Sequence, residues 1–252
     1  MVFFKKKYKT GRDGLSQDTM INGARLITAS EPKNPVSEQF RTIRTNIEFA
    51  SVAKGNVKTL LISSPLPSEG KSTITANLAV AYAQQGKKVL LVDTDLRRPT
   101  VARTFGVTDN HGLTNYLADV NSDAGSIIHH TRMAMLDVVV SGPVPPNPAE
   151  LLASSRMTNL IAELRQRYDL VIFDVPPFLM VTDAQVLMSK MDGVAVVVSG
   201  RQTTKGALQR TTDMLKLADA PMLGFIYNDR NRKKQTGAGY GYGYGYGYGE
   251  AK

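Results

Sequence analysis

The chain of 252 residues is long enough for one α/β domain with a sizeable core, and it carries a formal net charge of +9. It contains no cysteine, which excludes disulfide bridges and thiol chemistry. No apolar run approaches the ~20 residues that span a bilayer, and nothing near the N-terminus is typical of a signal peptide. We therefore expect a cytoplasmic protein that reaches a membrane only indirectly.

Apolar segments alternate with amphipathic segments, a pattern typical of an α/β fold with a mostly parallel sheet and helices on both faces. We predict strands near residues 58–63, 88–92, 136–140, 169–173, 193–198 and 222–227. We predict helices near residues 72–85, 156–167, 182–190 and 204–218. The chain then divides into a basic, partly flexible N-terminal segment (1–35), one folded domain (36–228) and a flexible tail (229–252).

A charged stripe and an apolar stripe lie ahead of the first predicted strand. Glu38, Arg41 and Arg44 recur at helical spacing and broadly share one face of a helix. Phe40 and Ile43 fall on a second stripe, which is expected to pack on the domain. The charges alone indicate only an exposed face with ion pairs, which contributes little to stability.

A phosphate-binding loop is the most informative motif of the chain. The apolar run from Leu60 to Ile62 predicts a buried strand, a Ser/Pro-rich loop follows, and a helical pattern resumes at Thr73. Between them, residues 70–72 (Gly-Lys-Ser) form the core of a P-loop, although Pro65 stands where the usual spacing has glycine.

Such a loop binds phosphate through its backbone N–H groups and the N-terminus of the helix behind it. Lys71 would reach the β- and γ-phosphates, and the hydroxyl of Ser72 would bind Mg²⁺. The predicted nucleotide contacts are Ser68, Glu69, Gly70, Lys71, Ser72 and Thr73. The sequence therefore predicts binding of ATP or GTP, against the alternative of an ordinary strand–loop–helix connection.

Three aspartates lie at the ends of predicted strands. Asp93 and Asp95 follow the apolar run that begins at Val89, and Asp174 ends the run that begins at Leu170. Because side chains alternate along an extended strand, Asp93 and Asp95 are expected to point the same way. Ligands of open α/β sheets bind at the carboxyl ends of the strands. Together with the P-loop, the three carboxylates predict a Mg²⁺–phosphate site, whereas each alone indicates only a cap on its loop.

These motifs, together with residues 141–148 and 223–228, resemble the bacterial tyrosine kinases (BY-kinases) of capsule and exopolysaccharide biosynthesis. That family lies within the MinD/ParA-like deviant P-loop ATPases, and the resemblance covers residues 35–228 plus the tail. It implies a P-loop NTPase domain with a Rossmann-like three-layer sandwich, and it implies ATP and Mg²⁺ as cofactors. It also implies that Asn228 contacts adenine and that Arg230 stacks on the base.

The C-terminus alternates glycine with tyrosine. Its tyrosines are Tyr240, Tyr242, Tyr244, Tyr246 and Tyr248. Glycine at every second position disfavours a stable strand, so we predict a flexible tail. On composition alone, the tail could be a segment that mediates weak association. In the resembling kinases a C-terminal tyrosine cluster is the autophosphorylation substrate, presented to a neighbouring subunit, and the resemblance implies that role here.

The resemblance also implies a division of roles within the site. Lys71 holds the phosphates, while Ser72, Asp95 and Asp174 hold Mg²⁺, directly or through water. Asp93 is placed to take the proton of the tyrosine hydroxyl, although Asp93 and Asp95 could exchange these roles.

Four further residues complete the predicted site. Arg97 and Arg98 are interpreted as groups that neutralise phosphate charge or dock the acceptor, and Asp183 as a structural residue at a helix start. Ser68 stands where this family usually has glycine. If the backbone there requires a positive φ, serine costs something like 1 kcal/mol.

The resemblance extends to partners. Glu38, Arg41 and Arg44 match E-x-x-R-x-x-R, the subunit-contact motif of a ring-shaped homo-oligomer. A membrane-embedded activator that recruits the kinase to the inner face of the membrane, and a cognate tyrosine phosphatase, are further expected partners. Basic clusters at residues 5–9 and 230–234 are either solvated ends or nonspecific contacts to anionic lipid or nucleic acid. No specific nucleic-acid partner is expected.

Two other functions compete with the kinase. A MinD- or ParA-like positioning ATPase would share the phosphate site, but the Gly-Tyr tail cannot form the amphipathic C-terminal helix typical of such proteins. A scaffold that binds nucleotide without catalysis is the third interpretation. The kinase interpretation, with control of capsular or exopolysaccharide synthesis and export, accounts for both the strand-end aspartates and the tail.

Overall fold

A single seven-stranded sheet organises the protein. The computed structural model describes residues 15–52 and 55–229. The strands are β1 (Thr59–Ser63), β2 (Val89–Asp93), β3 (Ile128–His130), β4 (Leu136–Val139), β5 (Leu170–Asp174), β6 (Gly193–Ser199) and β7 (Met222–Asn228). Their order across the sheet is β3-β4-β2-β5-β1-β6-β7. All neighbours pair in parallel except β3, which runs antiparallel to β4.

Ten α-helices and one short 3-10 helix surround this sheet in the part of the chain that the structure describes. The helices are α1 (Leu15–Asn22), α2 (Ile27–Ser30), α3 (Pro35–Val52), α4 (Lys71–Ala83), α5 (Val101–Phe105), α6 (Leu113–Ala118), α7 (Pro148–Ala153), α8 (Ser155–Arg167), α9 (Asp183–Met188) and α10 (Lys205–Leu217). The sequence explains several starts. The hydroxyls of Ser154 and Thr204 each accept a backbone N–H of the first turn of α8 and α10. None of the described helices is long and apolar enough to cross a bilayer.

The core consists of two apolar layers, one on each face of the sheet. Alternate residues of the central strands face opposite ways: Leu61 and Phe173 belong to one layer, and Leu60 and Ile172 belong to the other. The first layer packs against α6 to α10, and the second packs against α3 and α4. The predicted α/β fold, with a mostly parallel sheet between helices, is confirmed.

The short elements escaped prediction. β3 has three residues, two of them histidine, so it shows no apolar alternation. α7 begins with Pro148 inside a proline-rich stretch that is typical of a loop. The helix can start there because proline is tolerated at the first helical position. The helices of 13 residues were located to within two residues at each end: Ser154 and Thr204 mark the starts of α8 and α10, and Gly70 of the phosphate loop precedes α4.

The N-terminal residues are joined to the domain more closely than a boundary at residue 36 implies. The Ala24 N–H donates to the Thr104 hydroxyl at 2.9 Å. Thr28 is fully buried, and its N–H and hydroxyl both donate to Asn77 Oδ1, at 3.0 and 3.1 Å. Residues from Ala24 onward therefore contribute to the core on the α4 side of the sheet.

Candidate active site

The loop between β1 and α4 directs the N-terminus of a 13-residue helix into a cleft. Gly70 precedes the helix with φ 90°, a left-handed conformation that favours glycine. Ser68 also has a positive φ, 63°. Because this φ is positive, serine is strained at position 68, and we expect the strain to cost about 1 kcal/mol.

Lys71, the first residue of α4, joins two of the strand-end carboxylates. Its Nζ lies 2.9 Å from Asp95 Oδ2 and 3.4 Å from Asp174 Oδ1, and all three residues are buried. Burial lowers the pKa of Lys71, but Asp174 and Asp95 outweigh that effect and raise the pKa overall. Burial also raises the pKa of Asp174, against the opposing attraction of Lys71. Lys71 is therefore an ammonium that neutralises part of a dense buried negative charge.

Asp93 holds its own loop and makes no direct contact with Lys71. Its Oδ2 accepts the N–H groups of Thr100 and Val101, each at 2.9 Å, and its Oδ1 accepts the Asp95 N–H at 3.2 Å. β2 ends at Asp93 and the chain turns, so the extended alternation that would point Asp93 and Asp95 the same way does not continue. Asp93 is fully buried, which, with the nearby Asp174, raises its pKa to about 8.

The residues around Lys71 fit a magnesium ion bound together with phosphates. Asp174 Oδ2 is buried and has no hydrogen-bond partner among the described residues. The Ser72 hydroxyl lies 3.2 Å from Lys71 Nζ, which itself lies 3.4 Å from Asp174 Oδ1. No group of three or more His, Asp or Glu within the described ranges forms a metal site alone. Mg²⁺ usually takes one or two carboxylates and completes its shell with water and substrate phosphates, which is what these residues offer.

A second network ties the phosphate loop to the far strands. The Glu69 side chain is 1% exposed, and it accepts the Leu66 N–H at 2.9 Å and the Thr203 hydroxyl. Burial raises the pKa of Glu69. The Asn228 side-chain nitrogen donates to the Glu69 carbonyl oxygen at 2.8 Å. Sequence reasoning placed Glu69 and Asn228 at the nucleotide but missed Thr203, because nothing local marks a threonine in a loop as a partner of a residue 134 positions away.

Comparison with known proteins identifies the family. A family model described as an AAA domain matches residues 67–221. The tyrosine-protein kinase YwqD of Bacillus subtilis (strain 168) is 47% identical over 211 residues, which cover 84% of this chain and 88% of that protein. The crystal structure of the chimerical protein CapA2B2 gives a TM-score of 0.77 at 41% identity, covering 82% of this chain and 90% of that one. The chain belongs to the bacterial tyrosine kinases.

The kinase also shares its fold with positioning ATPases. The septum site-determining protein MinD of Pyrococcus horikoshii, solved with Mg-ADP, gives a TM-score of 0.60 at 26% identity, covering 70% of this chain and 72% of that one. The relation to the tyrosine kinases is closer in both identity and coverage, so the kinase interpretation is supported over the MinD-like alternative. Nucleotide use is common to both groups.

The two arginines that follow Asp95 have different environments in the kinase. Arg97 donates from Nε and Nη2 to the two carboxylate oxygens of Asp183, at 3.0 and 3.2 Å. Asp183 is fully buried, and it starts α9 while Thr182 occupies the cap position. Asp183 therefore anchors Arg97. Arg98 is exposed and lines the cleft beside Ser68 and Asp95.

The side chains of the predicted subunit-contact motif point in two directions, some outward and one inward. Arg41 Nη1 lies 2.6 Å from Glu38 Oε2 on the surface of α3, and Arg41 also donates to the Pro32 carbonyl oxygen at 2.7 Å. Arg44 Nη1 instead donates to the Ala81 carbonyl oxygen near the end of α4, at 2.7 Å. Arg44 thus holds α3 against α4 within the monomer, and the three side chains do not present one common outer face.

The remaining predicted site residues lie outside the described ranges. They are Arg230 and the tail tyrosines Tyr240, Tyr242, Tyr244, Tyr246 and Tyr248.

Proposed function

We propose that this kinase transfers the γ-phosphoryl group of ATP to the tyrosines of the C-terminal tail of another copy of the chain. The observation that carries the proposal is the buried cluster of Lys71, Asp95 and Asp174 at the mouth of the phosphate-binding loop. Phosphoryl transfer needs positioning and charge neutralisation more than covalent chemistry, and this cluster supplies both. The five tyrosines of the tail offer repeated acceptors on a glycine spacer.

In the proposed reaction the tyrosine oxygen attacks the γ-phosphorus of ATP. The bond between that phosphorus and the β,γ-bridging oxygen breaks, ADP leaves, and the phenolic proton passes to a carboxylate and then to water. The phosphate loop and Lys71 hold the β- and γ-phosphates. Mg²⁺, held by Ser72 and Asp174 directly or through water, would supply further neutralisation of the phosphate oxygens.

The geometry favours Asp95 over Asp93 as the acceptor of the tyrosine proton. Asp95 lines the cleft, whereas Asp93 is fully buried and both of its oxygens accept backbone N–H groups. An incoming hydroxyl can therefore reach Asp95 more directly. We assign proton acceptance to Asp95 and positioning of the loop to Asp93.

Base recognition is proposed on the β7 side of the phosphate loop. Asn228 ends β7, and its amide bridges to Glu69 while its side-chain oxygen is available to an adenine amino group. Arg230, two residues on, is proposed to stack on the base. This placement leaves the opposite, β2 side of the loop to the acceptor.

A ring of subunits is proposed to deliver each tail to a neighbouring site, with the exposed Glu38–Arg41 pair on α3 as part of the contact. Arg41→Ala is then expected to yield monomers that bind Mg·ADP normally but phosphorylate their tails weakly, as read by light scattering and phosphate incorporation. Arg44→Ala, in contrast, is expected to lower the thermal midpoint of the monomer, because it removes the bond to Ala81. An unchanged mass of the Arg41→Ala oligomer would exclude the proposed contact.

The proposed partner is a membrane-embedded activator whose cytoplasmic end stimulates the kinase and recruits it to the membrane. Family resemblance and the chimerical nature of the CapA2B2 protein support this partner. The same resemblance supports a cognate tyrosine phosphatase and a role in controlling capsular or exopolysaccharide synthesis and export.

Intact mass after incubation with Mg·ATP tests the proposed reaction, with and without the activator's cytoplasmic segment. We expect successive additions of phosphate, and we expect them to disappear when all five tail tyrosines become phenylalanine. Each phosphate would add about −1.5 to −2 charges at pH 7, which gives an independent electrophoretic readout. Consumption of ATP without any change in mass under both conditions would contradict tail phosphorylation and favour the positioning ATPase.

A further inference from the structure

The N-terminal helix forms part of the cleft at the phosphate loop. Thr19 and Met20 of α1 line the same cleft as Ser68, Asp95 and Arg98. Met20 is 38% exposed, so an apolar surface adjoins the charged groups of the cleft. The established chemistry of the loop gives this methionine no role.

The position of α1 is fixed by close backbone packing on α5. Gly23 has φ 75°, and a Cβ at this position would lie 2.7 Å from the backbone of Arg103 and Thr104. The next residue, Ala24, donates its N–H to the Thr104 hydroxyl. The start of α5 is held in turn by Asp93, which accepts the Val101 N–H. A continuous path therefore connects the end of β2 to α1.

The order of strands places α1 and α5 on the side of the cleft opposite the proposed base site. From β1 and its loop, the sheet continues through β6 to β7 and Asn228 on one side, and through β5 to β2 and α5 on the other. In phosphoryl transfer the attacking and leaving oxygens lie roughly in line. If ADP leaves toward the β7 side, the acceptor approaches from the β2 side, where α1 lies.

We propose that α1 forms the acceptor-tyrosine subsite, in which the Met20 thioether packs against the phenol ring while the hydroxyl reaches Asp95. This inference rests on the proposed function and deepens it. A methionine sulfur contacts aromatic rings favourably, and its flexible side chain adapts to several acceptors in turn. Arg98, which has no ion pair among the described residues, lines the same cleft and supplies a cation for phosphate oxygens.

The subsite selects a chemical class of acceptor: a tyrosine with small neighbours. The ring must pass between α1 and the phosphate loop, and bulky flanking side chains would collide with Met20 or Pro67, which also lines the cleft. Glycine on both sides removes that obstruction and leaves the backbone free to adopt the required conformation. The alternating Gly-Tyr tail of residues 239–249 meets this requirement.

The test uses the full-length chain with its five tail tyrosines changed to phenylalanine, the activator segment, and a Gly-Tyr peptide of residues 239–249 as acceptor. Met20→Ala is expected to raise the KM for the peptide about three- to tenfold, because a sulfur–aromatic contact is lost. The affinity for Mg·ADP should change by less than about twofold, since the base side is untouched. Met20→Leu keeps an apolar contact with the ring but lacks the sulfur, so it should recover only part of the loss in peptide KM.

The matched control is Ile21→Ala, which removes a more exposed apolar side chain, 67% exposed, from the next position of the same helix and outside the cleft. We expect it to leave the peptide KM unchanged. An unchanged peptide KM in Met20→Ala, or an equal loss in Mg·ADP affinity, would overturn the subsite alone. Failure of the parent chain to phosphorylate the peptide at all would instead contradict the proposed kinase reaction.

Discussion

Two buried carboxylates flank the phosphate-binding loop and organise its two sides in different ways. On the β7 side, Glu69 accepts one N–H of its own loop and the hydroxyl of Thr203, and its carbonyl oxygen accepts the Asn228 amide. On the β2 side, Asp93 accepts three backbone N–H groups from residues within eight positions of itself. The hydrogen bonds of the β7 side therefore come from side chains of distant segments, whereas those to Asp93 come from the local backbone.

This difference determines which substitutions should remove the hydrogen bonds on each side of the loop. Replacing any of several side chains should loosen the β7 side in small steps, because each supplies one hydrogen bond. On the β2 side, replacing Asp93 should release three hydrogen bonds at once, because its partners are backbone groups that substitution does not remove.

Asp93→Ala should have the largest effect on stability. It leaves three backbone N–H groups without their acceptor in a buried loop, so we expect the free energy of unfolding to fall by about 2–4 kcal/mol. Denaturant unfolding measures this loss. Asp109→Ala serves as the control, because Asp109 accepts a single N–H in an exposed loop and its removal should cost less than about 1 kcal/mol. Equal losses in the two variants would contradict the special role of Asp93.

The pH dependence of stability should also trace to Asp93. Its pKa is raised to about 8 from an ordinary value of 3.8, so the folded protein keeps a proton that the unfolded chain has lost. This contribution to stability is complete below the ordinary pKa and is lost as pH rises toward 8. Asp93→Asn cannot titrate, so its stability should vary less between pH 4 and 8 than that of the parent. Parallel pH profiles for the two proteins would refute this assignment.

Thr203→Val should loosen the β7 side of the phosphate loop moderately. The substitution keeps the shape of the side chain but removes the hydroxyl that donates to the buried Glu69 carboxyl. We expect a loss of about 1–3 kcal/mol in unfolding free energy and a weaker affinity for Mg·ADP, measured by calorimetry. Thr212→Val is the matched control, because its hydroxyl donates only to the Leu208 carbonyl oxygen along α10. Similar Mg·ADP affinities in both variants would show that the link to Glu69 does not position the phosphate loop.

Ser68→Gly should have the smallest effect and the opposite sign. Glycine adopts the observed φ of 63° without strain, although it loses more backbone entropy on folding. We therefore expect a gain of at most about 1 kcal/mol in unfolding free energy, with equal or slightly tighter binding of Mg·ADP. Gly70→Ala is the opposite change, because it places a side chain at a position with φ 90°. It should weaken the binding of Mg·ADP. Weaker binding in Ser68→Gly would show that the serine contributes more than it costs.

The sequence was a good guide to the centre of the sheet and to the phosphate loop. Apolar runs such as residues 60–62 and 170–173 form strands that are buried on both faces. The aspartate that follows the second run is the last residue of its strand. Lys71, Asp95 and Asp174 meet because parallel strands end at one edge, a consequence of topology that the sequence pattern already implies.

The direction of a side chain was harder to predict than its place in a helix or strand. Arg44 lies three positions from Arg41 on the same helix, yet it turns inward to the Ala81 carbonyl oxygen, because α4 packs against α3. Asp93 lies two positions before Asp95, yet the strand ends between them. Neither outcome can be read from spacing alone, because each depends on the position of a neighbouring element in space.

The most direct test of trans-phosphorylation mixes two variants: one lacks kinase activity, and the other lacks the tail acceptors. One is an affinity-tagged Lys71→Met chain with an intact tail, and the other is an untagged chain whose five tail tyrosines are phenylalanine. After incubation with Mg·ATP and the activator segment, the tagged chain is recovered and its phosphotyrosine is quantified by mass spectrometry. We predict phosphate on the tagged tail in the mixture and none on either chain alone. An unmodified tagged tail beside a parent chain that phosphorylates itself would contradict transfer between subunits.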